Sequence, residues 1–187
     1  MRQGEYAERA ADIASNKATQ VAGMFDRIAG RYDRMNDVMT GGMHRLWKIA
    51  ALRSLGRRRH GNVLDIATGT GDLALALAAS SRTARVVGLD FSAQMLAQAA
   101  IRARATGPRH HDRLAFTRGD ALRLPFADSA FSAATSGFAL RNVADLGEMF
   151  REIGRVVGPG GRVALLDLVP IPDPPPWTRL ANFHLRQ

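Results

Sequence analysis

The sequence contains no cysteine, and lysine occurs only at Lys17 and Lys48. The first absence excludes disulfides, thiolate metal sites and a cysteine nucleophile. No spacing of the His-Glu-x-x-His kind occurs, and a metal site built from scattered His and carboxylates is not expected. There is no apolar run long enough to cross a bilayer and no secretory signal at the N-terminus, so a cytoplasmic protein is expected. Aromatics are scarce at 6%, yet apolar residues reach 46% against 23% charged. Over 187 residues that suffices for one globular domain with a sizeable core. Acidic residues are outnumbered, and the formal net charge of +9 is carried almost wholly by arginine. An arginine excess suits nucleic acid or an anionic membrane surface, and it equally suits the coding bias of an Ala/Arg-rich chain. The densest cluster, Arg57-Arg58-Arg59-His60, reads as a solvated loop. Charge alone assigns no partner.

What is present is organised around Val63-Leu64-Asp65-Ile66-Ala67-Thr68-Gly69-Thr70-Gly71-Asp72. A short apolar run enters, two glycines stand one residue apart, and an Ala/Leu-rich segment leaves from Leu73. This reads as strand, tight turn and helix. Gly69 and Gly71 permit unusual backbone angles and let a ligand lie against the main chain. The new helix also turns its free N–H groups and positive dipole end toward that ligand. Upstream, Val21, Met24, Phe25 and Ile28 fall at helical spacing. Gly41-Gly42 then breaks the chain, and Met43 to Leu55 predicts a second helix with Met43, Trp47, Ala50, Ala51 and Leu55 on its apolar side.

Downstream, strands alternate with helical patterns, which predicts a parallel sheet with crossover helices. The further strands are expected at 84–90, 114–118, 131–138 and 162–168. Ser92 suits the N-cap of a helix to Ala105, and Leu146, Met149, Phe150, Ile153 and Val157 form a helical stripe closed by Gly158-Pro159-Gly160-Gly161. The expected fold is α/β, doubly wound and Rossmann-like, with five parallel strands. It forms a single domain over 1–187: a helical lid (1–60), a cofactor-binding core (61–168) and a proline-rich tail (169–187).

Three acids give the glycine loop its chemistry. Asp65 stands inside the first strand, where a dinucleotide loop would carry an apolar residue, and its carboxylate suits a cationic group such as an amino-acid ammonium. Asp90 ends the second strand, where doubly wound folds place an acid on ribose hydroxyls. Asp120 follows the third strand and suits the exocyclic amine of an adenine. Any one of them alone reads equally as a strand-end acid facing water. Gly69-Thr70-Gly71-Asp72-Leu73-Ala74 also fits a loose G-x-G-x-x-A pattern for NAD, but Asp72 would oppose a pyrophosphate at the helix start. A Walker loop is excluded, because no Gly-Lys-Ser/Thr follows. A sulfonium nucleoside with an amino-acid tail fits better, which points to S-adenosylmethionine.

These residues carry a family resemblance. The stretch Leu64 to Asp72 resembles motif I of class I S-adenosylmethionine-dependent methyltransferases, and Gly158-Pro159-Gly160-Gly161-Arg162 is similar to their turn before the fifth strand. From about Val21 to Leu168 the chain resembles, more narrowly, the ubiquinone/menaquinone biosynthesis C-methyltransferases, the demethylmenaquinone methyltransferase group. The specific pieces are Met24-Phe25-Asp26 through Tyr32-Asp33-Arg34-Met35-Asn36, Gly41-Gly42-Met43-His44-Arg45-Leu46-Trp47-Lys48, Leu124-Pro125-Phe126 and Phe138-Ala139-Leu140-Arg141-Asn142-Val143. The resemblance implies methyl transfer from S-adenosylmethionine to a ring carbon of a prenylated quinol, with Thr70, Asp90, Asp120 and Ala121 on the cofactor beside Asp65, Gly69 and Gly71.

Where the family often has serine directly before the Phe of Phe-x-Leu-Arg-Asn, this chain has Gly137, and Ser136 one place earlier is kept as a candidate. Arg141 is the candidate for stabilising a phenolate and Asn142 for orienting the ring, with an N-cap role for Asn142 equally open. Tyr32, Asp33 and His44 are lid candidates, Tyr32 among the catalytic set, although a lone His beside Arg45 is more often on the surface. The implied partners are a lipophilic quinol, the inner face of a membrane by peripheral contact, and another copy of the chain, with no nucleic acid. Such enzymes continue past the fifth strand with more helix and an antiparallel strand pair; these are expected to be missing here, leaving that strand as an edge. Other small-molecule methylation, or a non-catalytic cofactor-binding scaffold, remain alternatives.

Overall fold

The computed structural model describes residues 38, 40–56, 61–80 and 85–167. The expected helix at Val21–Ile28, Tyr32, Asp33, the cluster 57–60 and the tail 169–187 lie outside the described residues. Five strands, β1 (Val63–Ile66), β2 (Val86–Asp90), β3 (Leu114–Arg118), β4 (Phe131–Gly137) and β5 (Val157–Leu166), form one sheet in the order β3-β2-β1-β4-β5. Every pairing is parallel. This is the expected Rossmann-like sheet. The chain starts at the middle strand, runs outward through β2 and β3, and returns to the other side of β1 for β4. The order therefore reverses between β1 and β4, where open α/β sheets bind ligands.

Because the crossovers cover both faces, β1 is buried along its whole length. Val63 turns to one face, against α1 (Met43–Ser54) and α2 (Asp72–Ser80), where Leu52, Leu55, Leu73, Ala74, Leu77 and Ala78 pack with Val86 and Ala133. Leu64 and Ile66 turn to the other face, against Met149, Ile153 and Val156 of α5 (Leu146–Val156). Residues one apart on a strand face opposite ways, so these two clusters are the two sides of one sheet. Two further helices, α3 (Ala93–Ala105) and α4 (Pro108–His111), join β2 to β3. Ser92 caps α3 as its sequence suggests, its Oγ accepting the Met95 N–H at 3.1 Å.

Three expectations need correction. The buried side of α1 carries His44, Leu52 and the following Leu55, while Met43 and Ala50 face solvent, so the apolar stripe is rotated from the one expected. His44 is likewise not a surface residue: it is 3% exposed, with Nδ1 2.9 Å from Thr40 Oγ1. Finally, Gly158-Pro159-Gly160-Gly161 does not separate α5 from β5. Val157 is already extended, and the four residues lie inside the strand as a bulge. Phe131 pairs with Val157 and Ala133 with Arg162, so five steps on β5 match two on β4. Gly161 allows the chain to fold this tightly, since a Cβ there would lie 2.8 Å from the Gly158 carbonyl and 2.9 Å from that of Ser132.

Candidate active site

The site begins where β1 ends. Ala67, Gly69 and Gly71 all take left-handed φ values, +53°, +56° and +85°, so the chain winds sharply before α2. The Thr68 N–H donates to the Leu89 carbonyl at 2.9 Å and the Gly71 N–H to the Thr68 carbonyl at 2.9 Å, closing the turn against β2. The two glycines differ in what they permit. A Cβ at Gly71 would stand 3.1 Å from the Ala99 Cβ of α3, so that glycine lets two helices meet. A Cβ at Gly69 would meet nothing within 4 Å. Gly69 faces open space.

Asp90, at the end of β2, ties the glycine loop to the start of α3. Its Oδ2 accepts the Gly69 N–H at 2.7 Å and its Oδ1 accepts the Ser92 N–H at 2.9 Å. Asp65 is 1% exposed and held from two sides, with Thr135 Oγ1 donating to Oδ1 and Thr68 Oγ1 to Oδ2, each at 2.6 Å. Burial pushes its carboxyl up to about 6, against the opposing pull of the two hydroxyls, the Ala74 N–H and the Lys48 ammonium. Asp72 opens α2 between two cations, Lys48 Nζ at 2.5 Å from its Oδ2 and Arg102 on its Oδ1. Its burial acts to raise the carboxyl, but the neighbouring Lys48 and Arg102 outweigh it and hold the group below the usual carboxylate range. The repulsion of a pyrophosphate inferred for a lone Asp72 is thus offset by these cations. Arg102 also donates to the Thr70 carbonyl at 3.0 Å and to Thr70 Oγ1 at 2.8 Å.

Two hollows meet over this loop, with Ala67, Gly69, Gly137 and Phe138 lining both. The larger, about 830 Å³ and open to solvent, runs across the ends of β1, β2 and β4. Its walls are mostly apolar, with Phe91, Met95 and Leu122 among them, and its polar groups are Asp90, Asp120 and Asn142. Asp120 Oδ1 accepts the Leu122 N–H at 2.9 Å, which turns the loop after β3 back on itself. The smaller hollow, about 380 Å³, is lined by Lys48, Asp65, Thr70 and Asp72. A mostly apolar hollow beside a charged one suits a ligand with an aromatic nucleoside at one end and a zwitterion at the other.

The structure thus gathers Gly69, Asp90, Asp120, Ala121 and Asn142 around the large hollow, and Asp65, Gly69 and Thr70 around the small one. Gly71 serves helix packing. Ser136 is 1% exposed, lines neither hollow, and its Oγ has no hydrogen-bond partner among the described residues. Arg141 donates to Asp167 Oδ1 at 3.2 Å and its side chain is about half exposed. Asn142 is not the N-cap of α5: it ends a 3₁₀ turn at Leu140–Asn142, and Asp145 caps the helix by accepting the Glu148 N–H at 2.9 Å.

The sequence reading did not single out Lys48, Phe138 or Arg155 as side chains that build the site. Lys48 and Phe138 sit within the Gly-Gly-Met-His and Phe-x-Leu-Arg-Asn segments, and Lys48 Nζ lies 5.8 Å from the Phe138 ring centroid. Arg155 donates to the carbonyls of Leu124 and Phe126 and to Glu152, which accepts the Leu124 N–H at 2.7 Å. This pair pins the Leu-Pro-Phe segment behind the loop that carries Asp120.

Comparison with known proteins agrees with this geometry. The model of the ubiE/COQ5 methyltransferase family matches residues 13–175. The ubiquinone/menaquinone biosynthesis C-methyltransferase UbiE of Paracoccus denitrificans is 43% identical over 159 residues, 85% of this chain and 63% of that protein. The demethylmenaquinone methyltransferase of Beutenbergia cavernae is 45% identical over 169 residues, 89% of this chain and 65% of the relative. Among solved structures, phosphoethanolamine N-methyltransferase 2 of Haemonchus contortus in complex with S-adenosyl-L-methionine superposes with a TM-score of 0.57 and 28% identity, covering 64% of this chain and 27% of that one. The chain therefore spans somewhat under two thirds of the length of the curated relatives it matches.

Proposed function

The chain belongs to the ubiE/COQ5 methyltransferase family, and on that premise we propose that it methylates a ring carbon of a prenylated quinol with S-adenosylmethionine as methyl donor. The substrate class is demethylmenaquinol or the benzoquinol of the ubiquinone pathway. The observation that carries this reading is the pair of joined hollows, one apolar with Asp90 and Asp120 at its rim, the other charged and lined by Lys48, Asp65 and Asp72. The donor set fits the cofactor. Asp90 would accept from the ribose hydroxyls and Asp120 from the adenine amine, with Phe91, Met95 and Leu122 around the base. The open space over Gly69 admits the chain of atoms between nucleoside and amino acid. When bound, the cofactor supplies an electrophilic methyl group.

The protein's own part is placement and charge. A ring carbon becomes a methyl acceptor once a neighbouring hydroxyl is deprotonated, and holding that carbon in line supplies much of the acceleration. Asn142 lines the large hollow and would orient the quinol by hydrogen bonds. Arg141 lines neither hollow and is paired with Asp167, so it would offer positive charge to a phenolate only by turning its side chain toward the large hollow. Asp65 would balance a cationic group in the small hollow, where burial magnifies the effect of its charge.

The substrate's prenyl tail favours work at a membrane surface. No helix among the described residues is long and apolar enough to cross a bilayer. Instead, α1 turns Met43, Leu46 and Ile49 to solvent beside Arg45 and Arg53, a pattern suited to peripheral contact with anionic lipid. Flotation with no preference for anionic over neutral liposomes would count against that contact. The reading as a whole is tested by calorimetric titration with S-adenosylmethionine, using wild type and Asp90→Ala, followed by turnover of demethylmenaquinol. Micromolar binding lost in the variant, with turnover in the wild type, is expected. Binding without turnover would favour a scaffold, and no binding by folded protein would remove the methyltransferase reading.

A further inference from the structure

Lys48 occupies an unusual position. It lies on the inner side of α1, is 13% exposed, and puts an ammonium into the small hollow. Among the described residues its hydrogen-bond acceptor is Asp72 Oδ2 at 2.5 Å; it also lies over the face of Phe138 and acts through its charge on Asp65. An ammonium has three donors, so two remain for something that enters the hollow. Asp72 is shared between two cations, Arg102 on its Oδ1 and Lys48 on its Oδ2, so Lys48 spends one donor on the protein.

The charges around this hollow also balance. Lys48 and Arg102 are cations, Asp65 and Asp72 are carboxylates, and Asp65 has both oxygens engaged by threonine hydroxyls. A ligand end with net charge would upset that balance in a buried setting, whereas a zwitterion preserves it. Its cationic part faces the two carboxylates. Its anionic part needs donors, and Lys48 is the lysine that lines the hollow.

We propose that Lys48 is the specificity-determining contact for the amino-acid end of the cofactor, its ammonium donating to the α-carboxylate. Through it α1 distinguishes a nucleoside that carries an amino acid from one that does not. This rests on the methyltransferase reading above and deepens it.

The test is calorimetric and needs no turnover. Three ligands are titrated into the 187-residue protein: S-adenosylhomocysteine, its decarboxylated analogue with a propylamine tail, and 5′-methylthioadenosine, which lacks the amino acid. The wild type is expected to bind the first about 10- to 100-fold more tightly than the second, the range for a lost hydrogen bond to a charged group. Lys48→Met should compress that ratio to near unity, Lys48→Arg should keep most of it, and affinity for 5′-methylthioadenosine should stay within about twofold throughout. The comparison of ligands in the wild type stands even if the Met variant folds poorly. An unchanged ratio in Lys48→Met overturns the proposal. So does a parallel loss of 5′-methylthioadenosine binding, since Lys48 would then act only by holding α1. A wild type that binds 5′-methylthioadenosine but ignores the carboxylate refutes Lys48 alone, while one that binds none of the three refutes the methyltransferase reading with it.

Discussion

Replacing Asp65 by asparagine should stabilise the protein at neutral pH while weakening its site. The carboxylate is buried between β1 and β4, and burial raises it from its ordinary 3.8 to about 6 although two hydroxyls donate to it at 2.6 Å. A carboxyl raised in the folded state binds its proton more tightly there than in the unfolded chain. The stability linked to it is therefore full below pH 4 and is lost as pH climbs through 6. That displacement corresponds to about 3 kcal/mol by pH 8. Asparagine keeps the shape without the charge. Its oxygen can accept from one threonine, and its amide must donate to the other, which gives back about 1 kcal/mol through poorer pairing. The net expectation at pH 8 is a gain of about 1–2 kcal/mol, or roughly 2–8 °C in Tm for a chain of this size. The gain should vanish or reverse at pH 4. Urea unfolding of both proteins across pH 4–8 isolates the effect, because every other titrating group is common to the two. A variant less stable than wild type at pH 8, or a difference that does not move with pH, would refute the reasoning. Weaker S-adenosylmethionine binding by the stabilised variant would show a charge kept for the ligand at the expense of the fold.

Three other outcomes follow from the same geometry. Gly71→Ala drives a Cβ to 3.1 Å from Ala99 at a left-handed φ and should cost about 2–3 kcal/mol in denaturant melts. Gly69→Ala meets only open space, so it should cost about 1 kcal/mol yet impair cofactor binding more. Ser136→Ala removes a buried hydroxyl with no partner among the described residues. It should raise stability by about 1 kcal/mol and leave cofactor affinity unchanged, and a marked affinity loss in calorimetry would mean that the hydroxyl reaches the ligand. The hydrogen bond from Arg155 holds the Glu152 carboxyl below the usual range, so its contribution is present above about pH 4.5 and fades as pH falls. Glu152→Gln should flatten that acid limb in unfolding curves and loosen the Asp120 loop, seen as weaker binding of adenosine.

The fold was legible because its signals are local. Strand runs, the Ser92 cap and the helical spacing of Met149 and Ile153 in α5 each depend on neighbours a few residues away, although Leu146 and Phe150 of the expected stripe face solvent and Val157 begins β5. The misread parts depend on distant ones. Gly158-Pro159-Gly160-Gly161 has the composition of a turn, and only the pairing of β4 with both Val157 and Arg162 makes it a bulge within a strand. His44 looks like a surface residue beside Arg45, and it is buried because α1 packs through His44 and Leu52 rather than through Met43 and Ala50. In the site, the acids at the strand ends could be found by position. Their partners could not, since Asp65 meets Thr135 and Asp72 meets Lys48 and Arg102 across long stretches of sequence.

The location of the site itself follows from strain at the switch point. Ile66 and Ser136 are paired neighbours at the ends of β1 and β4, and just beyond them stand Ala67 at φ +53° and Phe138 at φ +60°. Such backbone costs an ordinary residue about 1–2 kcal/mol, and both of these residues line both hollows. The topology requires the two strands to part there, one leading to α2 and the other to the 3₁₀ turn and α5 on the opposite face. A left-handed residue directly after each strand makes the parting abrupt, so the gap between them stays open instead of being filled by side chains. Gly137 extends the same logic: a Cβ there would stand 2.8 Å from Leu73 Cδ1, so a larger residue would require the Leu73 side chain to shift. Gly137 thus leaves room for Leu73 at the floor of the site, where both hollows meet.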